Sequence, residues 1–254
     1  MTTHQDQILD QFTRQAVPFA TAPGIKDEAA LTLVIDFSGA GANDTVLDVA
    51  CGPGILACAF ARVAKHVTGI DITPAMLERA RLLQKEKGLA NLTWQQGDVL
   101  PLPYADASFT IVTSRFAFHH FLDPKAVIAE MNRVCAPGGT VLVIDSAPAR
   151  DKADAFNRME VVRDPSHTRA MPEEELKSLF TGVGLPAPRT TGYRLEGELE
   201  GLISRSFPKP GDDETLRTIF RDSLANDDLG VGARRDGDKI LLGYPVAVLA
   251  ARRA

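Results

Sequence analysis

The sequence predicts an α/β protein, a parallel sheet with helices on both faces. Two observations carry that prediction. Between residues 44 and 147, short apolar runs alternate with longer segments of helical periodicity, the pattern of successive β–α units. The apolar runs are rich in Val, Ile and Leu with little polar alternation, as expected of strands covered on both faces.

The elements follow in order. Residues 4–20 read as a helix with Phe12 and Phe19 on one face, placed to form a lid. TVLDVA (45–50) is the first strand, and a helix runs from the glycines after it to about Lys65. HVTGID (66–71) is the second strand. Thr73 offers a capping oxygen and Pro74 the first position of the next helix, which carries Met76, Ala80 and Leu83 as a stripe and ends at Gly88. NLTWQQGD is the third strand and FTIVTS the fourth. Asp123-Pro124 opens a helix with Val127, Ile128, Met131 and Val134 on one face. APGG (136–139) reads as a turn before a fifth strand, TVLVID (140–145). A charged segment (163–172), a helix near 172–181 and a strand near Arg189–Leu195 follow. Residues 196–228 read as helical, interrupted by FPKPGDD. KILLGYPVAVLAARR closes the chain as a seventh strand. It is expected to start or bulge at Pro245, because proline cannot donate to a ladder.

The totals narrow the function. A chain of 254 residues with 44% hydrophobic content can bury a sizeable core. A net charge of −5 without a basic stripe speaks against nucleic acid as a partner. No apolar run has the length of a membrane span, and the N-terminal residues lack the pattern of a secretory signal. Three cysteines, Cys51, Cys58 and Cys135, in no CxxC spacing suit a reducing compartment, so a cytoplasmic setting is expected.

The most informative stretch is DVACGPG, Asp48 to Gly54, between a strand and a helix. Glycines there let a nucleotide-like ligand approach the backbone at the strand's carboxyl end. GPGILA also satisfies the loose GxGxxG/A dinucleotide pattern. Asp48, inside the turn, suits a cationic ligand better than a pyrophosphate. Asp71 ends the second strand, where a carboxylate can take ribose hydroxyls from either class of cofactor. Asp98 ends the third, placed to accept from an adenine amino group.

DVACGPG, TGID, QGDVLPLPYADASF, FHHFLDP and RVCAPGG, in this order across roughly residues 44–147, resemble the class I S-adenosylmethionine-dependent methyltransferases. The subgroup they look most like is the small-molecule type that includes the ubiquinone and menaquinone C-methyltransferases. The resemblance implies a Rossmann-like, seven-stranded, mostly parallel sheet with an antiparallel last strand. It divides the chain into an N-terminal lid helix (1–25), a cofactor-binding core (26–147) and a completion of the sheet (148–254) with an inserted helical substrate cap at about 196–239. It also implies S-adenosylmethionine as cofactor. Asp48 and the backbone near Ala50, Gly52 and Gly54 would hold its methionine portion, Asp71 its ribose, and Ile72 and Met76 its adenine face. Asp98 and the Val99 amide would meet the adenine edge, and Ser114 and Arg115 would lie near the amino acid part and the methyl group. Ala50 stands where many relatives have glycine, and Thr110 where they usually have Asp. Cys51 reads as a small filler.

SRFAFHHF (114–121) holds two of the five histidines. Adjacent side chains project differently and no third ligand has helix spacing to either, so no metal site is expected. In the resemblance His120 packs and bonds locally, which leaves His119 the freer candidate for a base. His167 and Arg169 are second candidates, for orienting an anionic acceptor. The expected function is methyl transfer to carbon or oxygen of a small organic acceptor. The alternative is a methyltransferase-like protein that binds the cofactor without transferring methyl. A nicotinamide oxidoreductase, resting on GPGILA and Asp71, is a third reading.

Overall fold

A computed structural model describes residues 3–254; Met1 and Thr2 of the expected N-terminal lid lie outside the described residues. The sheet joins β1 (Thr45–Val49), β2 (His66–Asp71), β3 (Leu92–Gln96), β4 (Phe109–Arg115), β5 (Cys135–Ser146), β6 (Arg189–Glu198), β7 (Arg234–Asp236) and β8 (Lys239–Arg252). Their order is β3-β2-β1-β4-β5-β8-β6, with short β7 also on β8. β1 to β5 pair in parallel, and β8 runs antiparallel to β5, β6 and β7. Seven strands match the sequence reading. The eighth, β7, is joined to β8 by Gly237-Asp238, and the Asp-Gly pair before an apolar run was its only signal.

The helices are α1 (His4–Thr21), α2 (Glu28–Ser38), α3 (Ile55–Phe60), α4 (Pro74–Glu86), α5 (Pro124–Val134), α6 (Ala153–Arg163), α7 (Glu173–Thr181), α8 (Leu199–Ser206) and α9 (Asp212–Asp222). Alternate strand residues feed two cores. Val46, Val67, Ile111, Leu142 and Val248 meet α2 and α3 on one face; Leu47, Ile70, Val112, Val143 and Leu249 meet α5 and α7 on the other. A third core joins α6, α8 and α9 through Phe156, Met159, Ile203, Leu216 and Phe220 to Leu242 and Tyr244 of β8. No helix among the described residues is long and apolar enough to cross a membrane.

Four local expectations are corrected. α3 ends at Phe60 rather than near Lys65, because Asn91 Nδ2 takes the carbonyls of Ala61 and Ala64 at 2.9 and 3.0 Å. α4 starts at Pro74 as expected, but the Thr73 hydroxyl caps nothing; its N–H instead donates to Asp71 Oδ1 at 2.8 Å. APGG belongs to β5, where it coincides with a register shift opposite β4, so that strand begins at Cys135. β8 passes through Pro245 unbroken. The Pro245 carbonyl accepts from Ala147 N–H, so its nitrogen faces the side on which β5 has ended, and no ladder bond is lost.

β4 leaves β1 on the opposite side from β2, so the strand order reverses between β1 and β4. In open α/β sheets the crevice at such a switch point, beyond the strand carboxyl ends, takes the ligand. Thr110 lies at the other end of β4. Its Oγ1 donates to Asp44 Oδ1 at 2.7 Å and accepts from Thr45 N–H at 3.0 Å, tying the starts of β1 and β4 together far from the crevice.

Candidate functional site

The two glycines after β1 act differently. Gly52 adopts φ +51° and its N–H donates to Asp71 Oδ2 at 2.8 Å, so the end of β2 holds the turn after β1. Gly54 adopts φ +74°, and a Cβ there would meet the Trp94 ring at 2.5 Å and Ala80 at 2.9 Å. It is glycine because β3 and α4 crowd it. Ala50 closes β1 in the left-handed region at φ +54°, a conformation glycine takes without strain. Phe116, just past β4, does the same at φ +57°.

Around the turn lies a cavity of about 320 Å³, the size of a small-ligand site. Asp48, Ala50, Gly52, Asp71, Ile72, Met76, Asp98, Val99 and Arg115 all border it. Gly54 and Ser114 do not; Ser114 is fully buried on β4 with its Oγ unpartnered. α1 closes the other side with Ile8, Phe12 and Phe19, and His4 Nε2 lies 2.7 Å from the His120 carbonyl. Cys51 borders the cavity too, but burial raises its thiol well above the ordinary value, which leaves it un-nucleophilic.

The electrostatics centre on Asp48. It is 1% exposed and its Oδ2 has no hydrogen-bond partner. Burial pushes its carboxyl up to about 7, against the pull of the Arg115 cation. Arg115 is itself anchored, donating to the Ile25 carbonyl at 3.1 Å and lying over the Phe116 ring at 4.6 Å. Burial also raises Asp71, opposed by the Thr73 and Gly52 amides that it accepts. Asp71 ends β2 as expected but is buried, and it shapes the turn as well as bordering the cavity. Asp98 is exposed and its Oδ1 accepts the Val99 N–H at 2.6 Å. An orphaned anionic oxygen beside a glycine turn fits a ligand that brings a cation.

These features are the pattern read from the sequence, now gathered around one crevice. A family model described as a methyltransferase domain matches residues 47–143. An uncharacterized methyltransferase, YcgJ of Bacillus subtilis, is 32% identical over 196 residues, 76% of this chain and 78% of that protein. This chain belongs to the class I S-adenosylmethionine-dependent methyltransferases. The crystal structure of YcgJ superposes with a TM-score of 0.81 at 26% identity, covering 89% of this chain and 98% of that one. The ubiquinone/menaquinone biosynthesis C-methyltransferase UbiE of Bdellovibrio bacteriovorus is 41% identical over 114 residues, only 44% of this chain and 48% of that protein.

The methyltransferase has a second cavity, of about 120 Å³, beside the first. Phe12, Phe19, Ile25, Phe116 and His120 border both. His119 borders only the second. Its Nδ1 lies 2.5 Å from Asp145 Oδ1 at the end of β5, and its N–H donates to Asp145 Oδ2 at 3.2 Å. Burial alone would depress this imidazole, but the Asp145 carboxylate holds it above the ordinary value. His120 Nδ1 lies 3.0 Å from the Ser166 carbonyl, and burial together with the neighbouring His119 depresses the ring to about 4. Both rings are therefore held, His119 by a carboxylate and His120 by a carbonyl. The carboxylate partner, which acts from 26 positions away, was not foreseen.

The remaining wall of the second cavity was also not foreseen. Glu160 and Arg163, on α6, form a buried pair at 2.6 and 2.9 Å, and Tyr244 donates to Glu160 Oε1 at 2.7 Å. Burial would raise the Glu160 carboxyl, but Arg163 brings it down to about 2. Their i, i+3 spacing in MEVVR was the available signal. His167 and Arg169 border neither cavity: His167 Nε2 lies 2.8 Å from Asn157 Oδ1, and Arg169 pairs with Glu175 at 2.6 Å. Both have partners in the fold away from either cavity, against the expectation that they orient an acceptor.

Proposed function

We propose that this methyltransferase seats S-adenosylmethionine in the larger cavity and alkylates a hydroxyl, or the carbon of an enol, of a small organic acceptor in the adjoining one. The observation that carries it is the buried, unpartnered Oδ2 of Asp48 at the glycine turn. When bound, the cofactor supplies a methyl group on a positively charged sulfur, which is electrophilic without further activation. The chain's own residues do the rest. Asp48 receives the ammonium, Asp71 the ribose hydroxyls, Ile72 and Met76 the adenine face, and Asp98 its amino edge. The aromatic and aliphatic wall of α1 excludes water, and α1 with the α6, α8 and α9 layer covers the acceptor side. Alignment of the two reactants accounts for the larger part of the rate, up to about 7–11 kcal/mol in favourable cases.

His119 is the base of this reading. With Nδ1–H donating a hydrogen bond to Asp145, Nε2 presents a lone pair, and Nε2 has no hydrogen-bond partner among the described residues. It takes the hydroxyl proton as the oxygen or enol carbon attacks, and the Asp145 carboxylate stabilises the resulting imidazolium.

The test is calorimetric titration with S-adenosylmethionine, S-adenosylhomocysteine and NAD side by side. Binding of both sulfur nucleotides and none of NAD is expected. NAD preference, or no binding by folded protein, refutes it.

A further inference from the structure

The second cavity has a cation the methyltransferase reaction does not need. Arg205, at the end of α8, borders this cavity and not the larger one. Among the described residues its guanidinium makes no hydrogen bond and no ion pair. The other charged groups of the wall are engaged. Glu160 accepts from Arg163 twice and from Tyr244; Asp164 accepts from Ser166 and from Gln15 at 3.2 Å; Glu196 faces Arg234 at 3.5 Å. Arg163 also reaches Ser206 Oγ at 3.1 Å. Burial and the like charge of Arg163 both act against the Arg205 cation, with Tyr244 and Glu198 only partly offsetting them. A half-buried guanidinium without a counter-ion, beside a second one, is a standing cost that an anion removes.

Size limits what brings that anion. A closed cavity of roughly 150 Å³ takes one benzene ring, and this one measures about 120 Å³. The five residues common to both cavities put the two side by side, with only side chains between them.

We propose that the second cavity is the acceptor site, and that Arg205 binds a carboxylate on a single-ring hydroxy acid whose hydroxyl faces His119. This rests on the methyltransferase reading above and adds the acceptor's charge and size. Glu160, Arg163 and Tyr244 form the fixed polar floor, and Arg205 is the group left open for substrate.

The experiment uses the full chain, first titrated with S-adenosylhomocysteine. The saturated protein is then titrated with benzoate and with benzamide, which match in shape and differ in charge. Benzoate is expected to bind about tenfold more tightly or better, the scale of one charge-assisted contact. Arg205→Gln should abolish that preference, and Arg205→Lys should keep most of it, which separates charge from folding. Equal affinity for the two probes, no benzoate binding, or a preference that survives in Arg205→Gln overturns the acceptor proposal alone. Failure of S-adenosylhomocysteine to bind the wild-type chain overturns the proposed function with it.

Discussion

Replacing Asp48 by Asn should make the empty protein more stable and the liganded one weaker. The Asp48 carboxyl rises from an ordinary 3.8 to about 7 because burial disfavours its charge. At about 1.4 kcal/mol per pH unit, that corresponds to about 4 kcal/mol against the ionised form. The sign follows from linkage. Between pH 3.8 and about 7 the folded chain keeps this proton and the unfolded chain does not, so the group's contribution falls as pH rises across that window and levels off above it. Asn keeps the shape and has nothing to titrate. Urea unfolding of both proteins from pH 4 to 8.5, without ligand, should show the variant gaining on the wild type up to about pH 7, by as much as about 4 kcal/mol. Calorimetry at pH 8 should show S-adenosylmethionine binding at least about tenfold more weakly, since a buried charge partner is lost. A stability difference that stays flat with pH, or undiminished cofactor affinity, would refute the assignment of Asp48 as a strained carboxylate awaiting a cation.

Gly54→Ala should lower stability by about 2–4 kcal/mol, from overpacking against Trp94 and from its left-handed backbone, and should alter Trp94 fluorescence. Ala50→Gly should raise the thermal midpoint, by about 0.5–1 kcal/mol in stability, by relieving φ +54°; no gain would mean that the turn carries no strain there. His119→Gln should slow turnover of a hydroxyl acceptor by about 10²–10⁴ at unchanged cofactor affinity. Wild-type activity should rise with pH through a value above 6.5, and Asp145→Asn should move that rise to lower pH. The same pair contributes stability that is fully present below pH 6.5 and is lost as pH rises through the folded value, so Asp145→Asn should destabilise most on the acid side. Asp71→Asn should weaken cofactor binding and also loosen the turn, seen as faster amide exchange at Gly52 and Thr73, because both N–H groups end on this carboxylate.

β1, β2, β4 and β5 were readable because burial makes them largely apolar runs, whereas β3, a polar and mostly exposed edge strand, was placed by its turn in the alternation. Asp48, Asp71 and Asp98 were readable because each lies at or just past the carboxyl end of its own strand, so a local pattern places it. Asp145 obeys the same rule at the end of β5, yet its role as partner of His119 comes from the β4–β5 pairing, which no local pattern displays. α2 was not recognised because Leu31–Ile35, LTLVI, is a short, nearly continuous apolar run that periodicity alone does not tell from a strand. α6 was not recognised because its buried face includes a charged residue, Glu160. The second cavity draws on α1, α6, α8 and β8, elements far apart in the chain, and its assembly is a tertiary fact.

The shared aromatic wall between the two cavities also divides the chain by inheritance. Apart from α1 and Ile25, the lining of the larger cavity falls between residues 48 and 127, inside the 47–143 span common to the family. Of the residues bordering only the smaller one, all but His119 fall outside that span. Descent can therefore conserve the methyl donor's seat while its neighbour drifts, and kinship alone does not transmit an acceptor. A chimera that exchanges residues 146–244, none of which borders the larger cavity, for those of another family member should shift acceptor preference toward that member's and keep this chain's affinity for the donor.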